Sequence, residues 1–127
     1  MPNDNDARTV AHAYLEAFSR KDFDAFRRLL ADDVTFTGPA AKLSGAEAIS
    51  TAYQRLGGIL LRNELKKTFV DKDDVCIIYD FVSDTAAGAV PTVEWLKVDH
   101  GKIRSIWLVT DHVRWPAALA ELAQRGR

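Results

Sequence analysis

Two helices, a short strand and a third helix fill the first half of this chain, and that order constrains the fold more than any other feature. Apolar residues at helical spacing predict an amphipathic helix over residues 6 to about 19. After a polar break, Asp22 is a natural N-cap for a second helix. A strand over residues 34–37 follows and stops at Gly38 and Pro39, which form a turn.

The third helix and the second half of the chain complete an α+β pattern. Ser44 and Glu47 match a capping box at the start of the third helix, which ends at Gly57 and Gly58. Helices followed by antiparallel strands indicate a curved sheet wrapped around three helices, with a concavity between them that is a usual place for a ligand. Segments rich in turn-forming residues separate four long strands and a short last helix, predicted at about 59–70, 75–84, 90–98, 102–112 and 119–123.

Length and charge exclude several classes of protein. The 127 residues predict one domain, with its core at about 6–123. The 17 Lys and Arg and the 18 Asp and Glu are interspersed, so nothing favours nucleic acid or an anionic membrane as a partner. No apolar run approaches the ~20 residues of a membrane helix. The lone Cys76 and the polar start of the chain fit a cytoplasmic protein.

Motifs for metals and common cofactors are absent from the sequence. The three histidines fall on three different predicted elements, without HExxH or paired-cysteine spacing, so we expect no metal centre. Gly57 and Gly58 stop a helix rather than form a phosphate loop, and no serine lies in a G-x-S-x-G context. No cofactor is expected.

The last two strands carry apolar side chains on both faces, which means that both faces of the sheet are covered. Three helices can cover only one side. The sequence therefore predicts a homodimer through the outer face, centred on Trp95 and Trp107. The alternative is that the C-terminal helix folds back over part of that face. Strand alternation assigns to the outer face Val93, Trp95, Ile103, Trp107 and Val109.

The order and spacing of these elements resemble the SnoaL-like and ketosteroid-isomerase-like domains of the nuclear transport factor 2 superfamily. The resemblance covers nearly the whole chain and is firmest over residues 14–34, 45–53 and 98–106. It implies a cone-shaped, cystatin-like α+β fold with three N-terminal helices on a curved, mostly antiparallel sheet. It also implies an isomerase, cyclase or hydrolase acting on a small apolar carbonyl compound of polyketide, steroid or terpenoid type. A non-catalytic binding domain and a dimeric interaction module are the alternatives.

Two residues stand where that family has its oxyanion donors. Tyr14 precedes Asp22 by eight residues, as the family's first-helix tyrosine precedes the acidic residue that opens helix two. Counting back from the turn at 99–101, with a one-residue deletion, places Glu94 at the family's aspartic acid. The resemblance implies that both side chains polarise an oxygen of the ligand. The alternatives are that Tyr14 only packs its ring in the apolar stripe of its helix and that Glu94 faces solvent. A pocket role for Glu94 requires the neighbouring Trp95 to face outward.

The chain departs from the family at the general base. Gly38 stands where the family has its proton-shuttling carboxylate, so the usual steroid-isomerase base is missing. Asp111, beside His112, is another candidate acid or base, although capping of the C-terminal segment is the alternative role for this carboxylate. The remaining predicted pocket residues are aromatic or aliphatic, with the last of them near the rim: Phe18, Phe36, Tyr53, Tyr79, Phe81, Ile106, Leu108 and Trp115.

Overall fold

Four helices pack with a six-stranded sheet in a computed structural model of the protein, which describes residues 4–39 and 41–125. The helices are α1 Asp4–Ser19, α2 Phe23–Arg28, α3 Ala46–Leu56 and α4 Arg114–Arg125. The strands are β1 Leu30–Thr37, β2 Lys42–Ser44, β3 Leu60–Asp71, β4 Asp74–Ser83, β5 Ala89–Asp99 and β6 Lys102–Thr110. None of the helices in the described part of the chain is long and apolar enough to cross a bilayer.

The sheet is mostly antiparallel, as predicted. Its strand order is β2-β1-β6-β5-β4-β3, and only β1 and β6 run parallel. Consecutive hairpins therefore join the four long strands of the second half, while β1 and the short β2 complete the other edge. The sequence predicted the four long strands to within about two residues, whereas it did not predict β2 and placed the last helix only at 119–123.

The starts of α2 and α3 differ in how well the sequence described them. Asp22 caps α2 as predicted, because its carboxylate accepts the Ala25 amide at 3.1 Å. The capping box predicted at Ser44 is wrong. Ser44 ends β2, and Gly45, at φ +94°, is the residue that turns the chain into α3. Glu47 accepts a hydrogen bond from Arg27 instead, at 3.2 Å. Pairing of Ser44 with β1 holds its backbone in the strand, so the left-handed conformation falls to the glycine.

A bulge in β6 corrects one predicted face. Trp107 and Val109 are 52% and 57% exposed on the outer face, whereas Ile103 is fully buried. The pairing of β6 with β5 shifts by one residue beside Arg104. Because side chains alternate along a strand, one extra residue moves those before it to the opposite face. The prediction that Ile103 shares a face with Trp107 is therefore wrong.

The C-terminal helix packs on the inner side of the sheet. The Trp115 ring of α4 lies edge-on against the buried Phe81 ring of β4, with centroids 5.5 Å apart. The alternative that the described C-terminal segment covers the outer face is therefore wrong. Trp95 and Trp107 remain exposed, and α4 instead forms a wall beside the core.

Candidate functional site

Glu94 lies at the centre of a buried cluster of three tyrosine hydroxyls. Tyr14 and Tyr53 donate hydrogen bonds to its Oε1 atom at 2.6 and 2.9 Å, and Tyr79 donates to Oε2 at 2.5 Å. None of these four side chains is more than 2% exposed. They come from α1, α3, β4 and β5, so the tyrosine–glutamate cluster ties the first helix to the middle of the sheet.

Strand alternation and helix packing explain why these side chains meet. Glu94 points to the inner face of β5 and Trp95 to the outer face, which confirms the orientation predicted for both. Tyr79 lies on the same inner face of the neighbouring strand β4. Tyr14 and Tyr53 lie on the buried faces of α1 and α3. Because buried polar groups are almost always hydrogen-bonded, each buried hydroxyl pairs with the carboxyl group.

Burial sets the protonation of the cluster. Desolvation raises the pKa of the Glu94 carboxyl, while the hydrogen bonds from Tyr14, Tyr79 and Tyr53 act in the opposite direction. The pKa values of the three tyrosines are raised well above their usual value, first by burial and then by the nearby carboxylate. The tyrosines therefore stay protonated and donate. The short bonds that they make offset part of the cost of burying the Glu94 charge.

A cavity of about 370 Å³ lies beside the cluster, between α3, α4, β6 and the β1–β2 connection. Tyr53 belongs to both, since it is among the residues that line the cavity and its hydroxyl donates to Glu94. Arg55 is the only charged residue among the described residues that line the cavity. The others are small, aliphatic or aromatic: Phe36, Gly38, Pro39, Ala41, Leu43, Ala52, Leu56, Leu108, Trp115, Leu119 and Leu122.

The cavity lies closer to α4 than the sequence predicted. Four predicted residues line it, namely Phe36, Tyr53, Leu108 and Trp115. The other predicted pocket residues are buried but do not line it: Tyr14, Phe18, Tyr79, Phe81, Glu94 and Ile106.

Aromatic packing accounts for the difference. The Tyr53 ring lies 5.0 Å from the Phe18 ring and 4.9 Å from the Phe26 ring, and Phe26 stacks on Tyr14 at 5.0 Å. These rings fill the space between the helices and the middle of the sheet, which the sequence left open as pocket. The open space of the cavity lies towards α4.

Gly38 lines the cavity, at the position where the resemblance places the missing base. A Cβ atom built on Gly38 would lie 2.7 Å from the Phe36 ring, closer than atoms pack without moving. The Phe36 ring therefore occupies the space that a side chain at position 38 would need. The structure explains the glycine by this close approach.

Asp111 lies at the start of α4 and does not line the cavity. Its Oδ1 atom accepts the backbone amides of Val113 and Arg114, each at 2.8 Å. These hydrogen bonds lower the pKa of Asp111, which weakens it as a proton acceptor near neutral pH. This geometry is that of a helix cap, which was the alternative role for Asp111. The neighbouring His112 is exposed.

Sequence reasoning included Trp115 but missed the rest of the cavity wall that α4 contributes. Trp115, Leu119 and Leu122 all line the cavity, and Leu119 and Leu122 follow Trp115 by four and seven residues. That spacing places them on one helical face and could have extended the predicted helix back to residue 115. Within residues 4–39 and 41–125, no group of three His, Cys, Asp or Glu side chains is arranged to hold a metal ion.

Comparison with known proteins identifies the family. A model of the SnoaL-like domain matches residues 11–106, which is most of the chain. This protein belongs to the SnoaL-like family. No curated protein sequence matches it.

Several solved structures have the same fold as this protein, although they are described in different ways. A nuclear transport factor 2-like protein from Cytophaga hutchinsonii is 22% identical, with a TM-score of 0.73 over 83% of this chain and 89% of the other. A putative ketosteroid isomerase from Kribbella flavida is 16% identical, with a TM-score of 0.78 over 87% and 82%. An LEH-like epoxide hydrolase from M. tuberculosis is 19% identical, with a TM-score of 0.77 over 94% of each chain. At these identities the likeness concerns the nuclear transport factor 2-like fold alone.

Proposed function

We propose that this SnoaL-like protein binds a small, largely apolar molecule in the cavity between α3 and α4. The cavity itself carries the proposal, because its volume of about 370 Å³ and its apolar lining are those of a small-molecule site. The polar tyrosine–glutamate cluster at its inner end suits a ligand with a carbonyl oxygen, of polyketide, steroid or terpenoid type. The open space supports a binding role over that of an interaction module whose interior is filled by its own side chains.

Catalysis of isomerase or cyclase type is the second candidate. The observation that favours it is the double role of Tyr53, which lines the cavity and donates to Glu94. A Tyr53 hydroxyl that turned to a ligand carbonyl would polarise its oxygen, while Tyr14 and Tyr79 kept Glu94 satisfied. Tyr14 and Glu94 would then act through Tyr53 rather than touch the ligand. Gly38 offers no base, so the proposed chemistry is limited to polarising the carbonyl.

A ligand screen with product analysis tests the proposal. Aromatic polyketides, steroids and terpenoid epoxides are added to the protein, and the rise in melting temperature is measured. Any compound that stabilises the protein is then incubated with it and analysed for products. Stabilisation without product selects the binding role, and stabilisation with product selects the enzyme.

A matched pair of variants locates the binding. Leu119→Trp fills the cavity from α4 and should abolish the rise in melting temperature that the ligand causes. The control Val113→Trp introduces the same side chain at an exposed position outside the cavity and should leave that rise intact. Stabilisation that survives Leu119→Trp would place the ligand elsewhere.

We also propose that a second copy of the chain covers the outer face of the sheet. Trp95 and Trp107 are directly paired on β5 and β6, with ring centroids 5.6 Å apart, and they are 45% and 52% exposed. Neighbouring strands extend this surface in register, and we call it the outer patch: Phe69, Cys76, Ile78, Val93, Trp95, Trp107 and Val109. A contiguous apolar surface of this kind is unusual on a soluble monomer. A two-fold interface would remove it from water with one self-complementary surface.

A further inference from the structure

Arg55 gives the apolar cavity a single positive charge. It lies in the last turn of α3 and is exposed to solvent, yet it also lines the cavity beside Tyr53 and Leu56. Arg55 therefore belongs to the part of the lining that is open to solvent, where one end of a bound molecule would meet water. The rest of the described lining offers no group of opposite charge.

The carboxylates of the two helices that line the cavity, α3 and α4, are already paired with other cations. Glu47, on α3, lies 3.2 Å from Arg27. Glu121, on α4, lies 2.7 Å from Arg125. Among residues 6–39 and 41–125, none makes an ion pair or a side-chain hydrogen bond with Arg55. The Arg55 guanidinium is therefore free to bind an anion.

We propose that the ligand of this cavity is an amphipathic carboxylic acid, whose carboxylate binds Arg55 and whose apolar body fills the cavity. The inference rests on the proposed binding function. A guanidinium group presents a planar fork of donors that matches the two oxygens of one carboxylate. A single cation suits a singly charged carboxylate better than a phosphate monoester, which carries nearly two charges at neutral pH.

A purely structural role for Arg55 makes a different prediction. A cation in the last turn of a helix interacts favourably with the helix dipole, so its removal would lower the melting temperature of the free protein. It would not change which ligands the protein prefers. The readout that separates the two roles is therefore the ratio of affinities for a charged and a neutral ligand of the same shape.

Isothermal titration calorimetry at pH 7.5 with octanoate and 1-octanol measures that ratio. We expect the wild-type protein to bind octanoate about tenfold more tightly than octanol, the usual scale for a charge-assisted hydrogen-bonded pair. Arg55→Gln should abolish the preference, and Arg55→Lys should keep part of it. Arg20→Gln removes the same charge from a residue that does not line the cavity and should leave the preference intact.

The outcomes separate failure of this inference from failure of the binding function. If wild type binds both compounds equally, or if the preference survives Arg55→Gln, the carboxylic-acid ligand is contradicted while cavity binding stands. If neither octanoate nor octanol binds, and the pair 2-naphthoate and 2-naphthylmethanol does not bind either, the binding function and this inference both fail.

Discussion

The Tyr53 hydroxyl lies 2.9 Å from Oε1 of Glu94, and the same tyrosine lines the cavity. One side chain thus connects a fully buried carboxyl group with the place where a ligand would sit. Tyr53 is therefore the residue through which a ligand in the cavity could be connected to Glu94. The following experiments test the cluster, the cavity and the outer face separately.

Glu94 should make stability depend on pH in a definite direction. Its pKa is raised in the folded protein above the ordinary value of 4.5, so the folded state binds the proton more tightly than the unfolded chain. The stabilisation from this group is fully present below pH 4.5 and is lost as the pH rises through the raised pKa. Glu94→Gln removes this dependence. Urea unfolding at several pH values measures this difference. As the pH rises, the free energy of unfolding of wild type should fall relative to that of the variant. A difference in free energy of unfolding that stays constant, or that grows in favour of wild type, would contradict the raised pKa.

Tyr14 and Glu94 should be energetically coupled. Tyr14→Phe leaves the buried carboxyl with one donor fewer and should cost about 1–3 kcal/mol of stability. In the Glu94→Leu background the same change should cost less, because no carboxyl is left unsatisfied. A double-mutant cycle from denaturant unfolding should therefore give a coupling free energy of about 0.5–3 kcal/mol. Independent, additive effects would show that the 2.6 Å contact contributes nothing.

Phe36 should determine whether position 38 tolerates a side chain. Gly38→Ala places a methyl group against the Phe36 ring and should cost about 1–3 kcal/mol, the usual cost of overpacking. In a Phe36→Ala background the same change should cost little, because the atoms that it would meet are gone. Thermal unfolding of the four proteins checks this. A cost of Gly38→Ala that is unchanged by Phe36→Ala would mean that backbone flexibility, and not the ring, explains the glycine.

The outer patch should control the oligomeric state. We expect wild type to sediment as a dimer at micromolar concentration. Trp107→Glu should sediment as a monomer of about 14 kDa or aggregate, because a charge at the centre of an interface is costly to desolvate. Val113→Glu introduces the same charge at a residue outside the outer patch that is 70% exposed, and it should leave the dimer intact. A wild-type monomer would contradict the proposed interface.

Local patterns predicted the fold and the direction of Glu94 well. Alternation along β5 placed Glu94 and Trp95 on opposite faces, and the family resemblance indicated that Glu94 is the inward one. The spacing of turns predicted the four long strands. The bulge at Arg104 depends on pairing between two strands and has no signal within one of them. The extent of the cavity could not be predicted from the sequence either. Aromatic rings such as Phe26 can line a pocket or fill it, and which of the two happens depends on how the helices pack.

The indole N–H signals of the three tryptophans test the central proposal most directly. Trp115 lines the cavity, whereas Trp95 and Trp107 lie on the outer patch, so each signal reports on one surface. In a two-dimensional ¹⁵N–¹H spectrum, assigned by single Trp→Phe variants, a ligand from the screen should shift the Trp115 signal and leave the other two in place. Shifts confined to Trp95 and Trp107, or no shift with any ligand that raises the melting temperature, would contradict binding in this cavity.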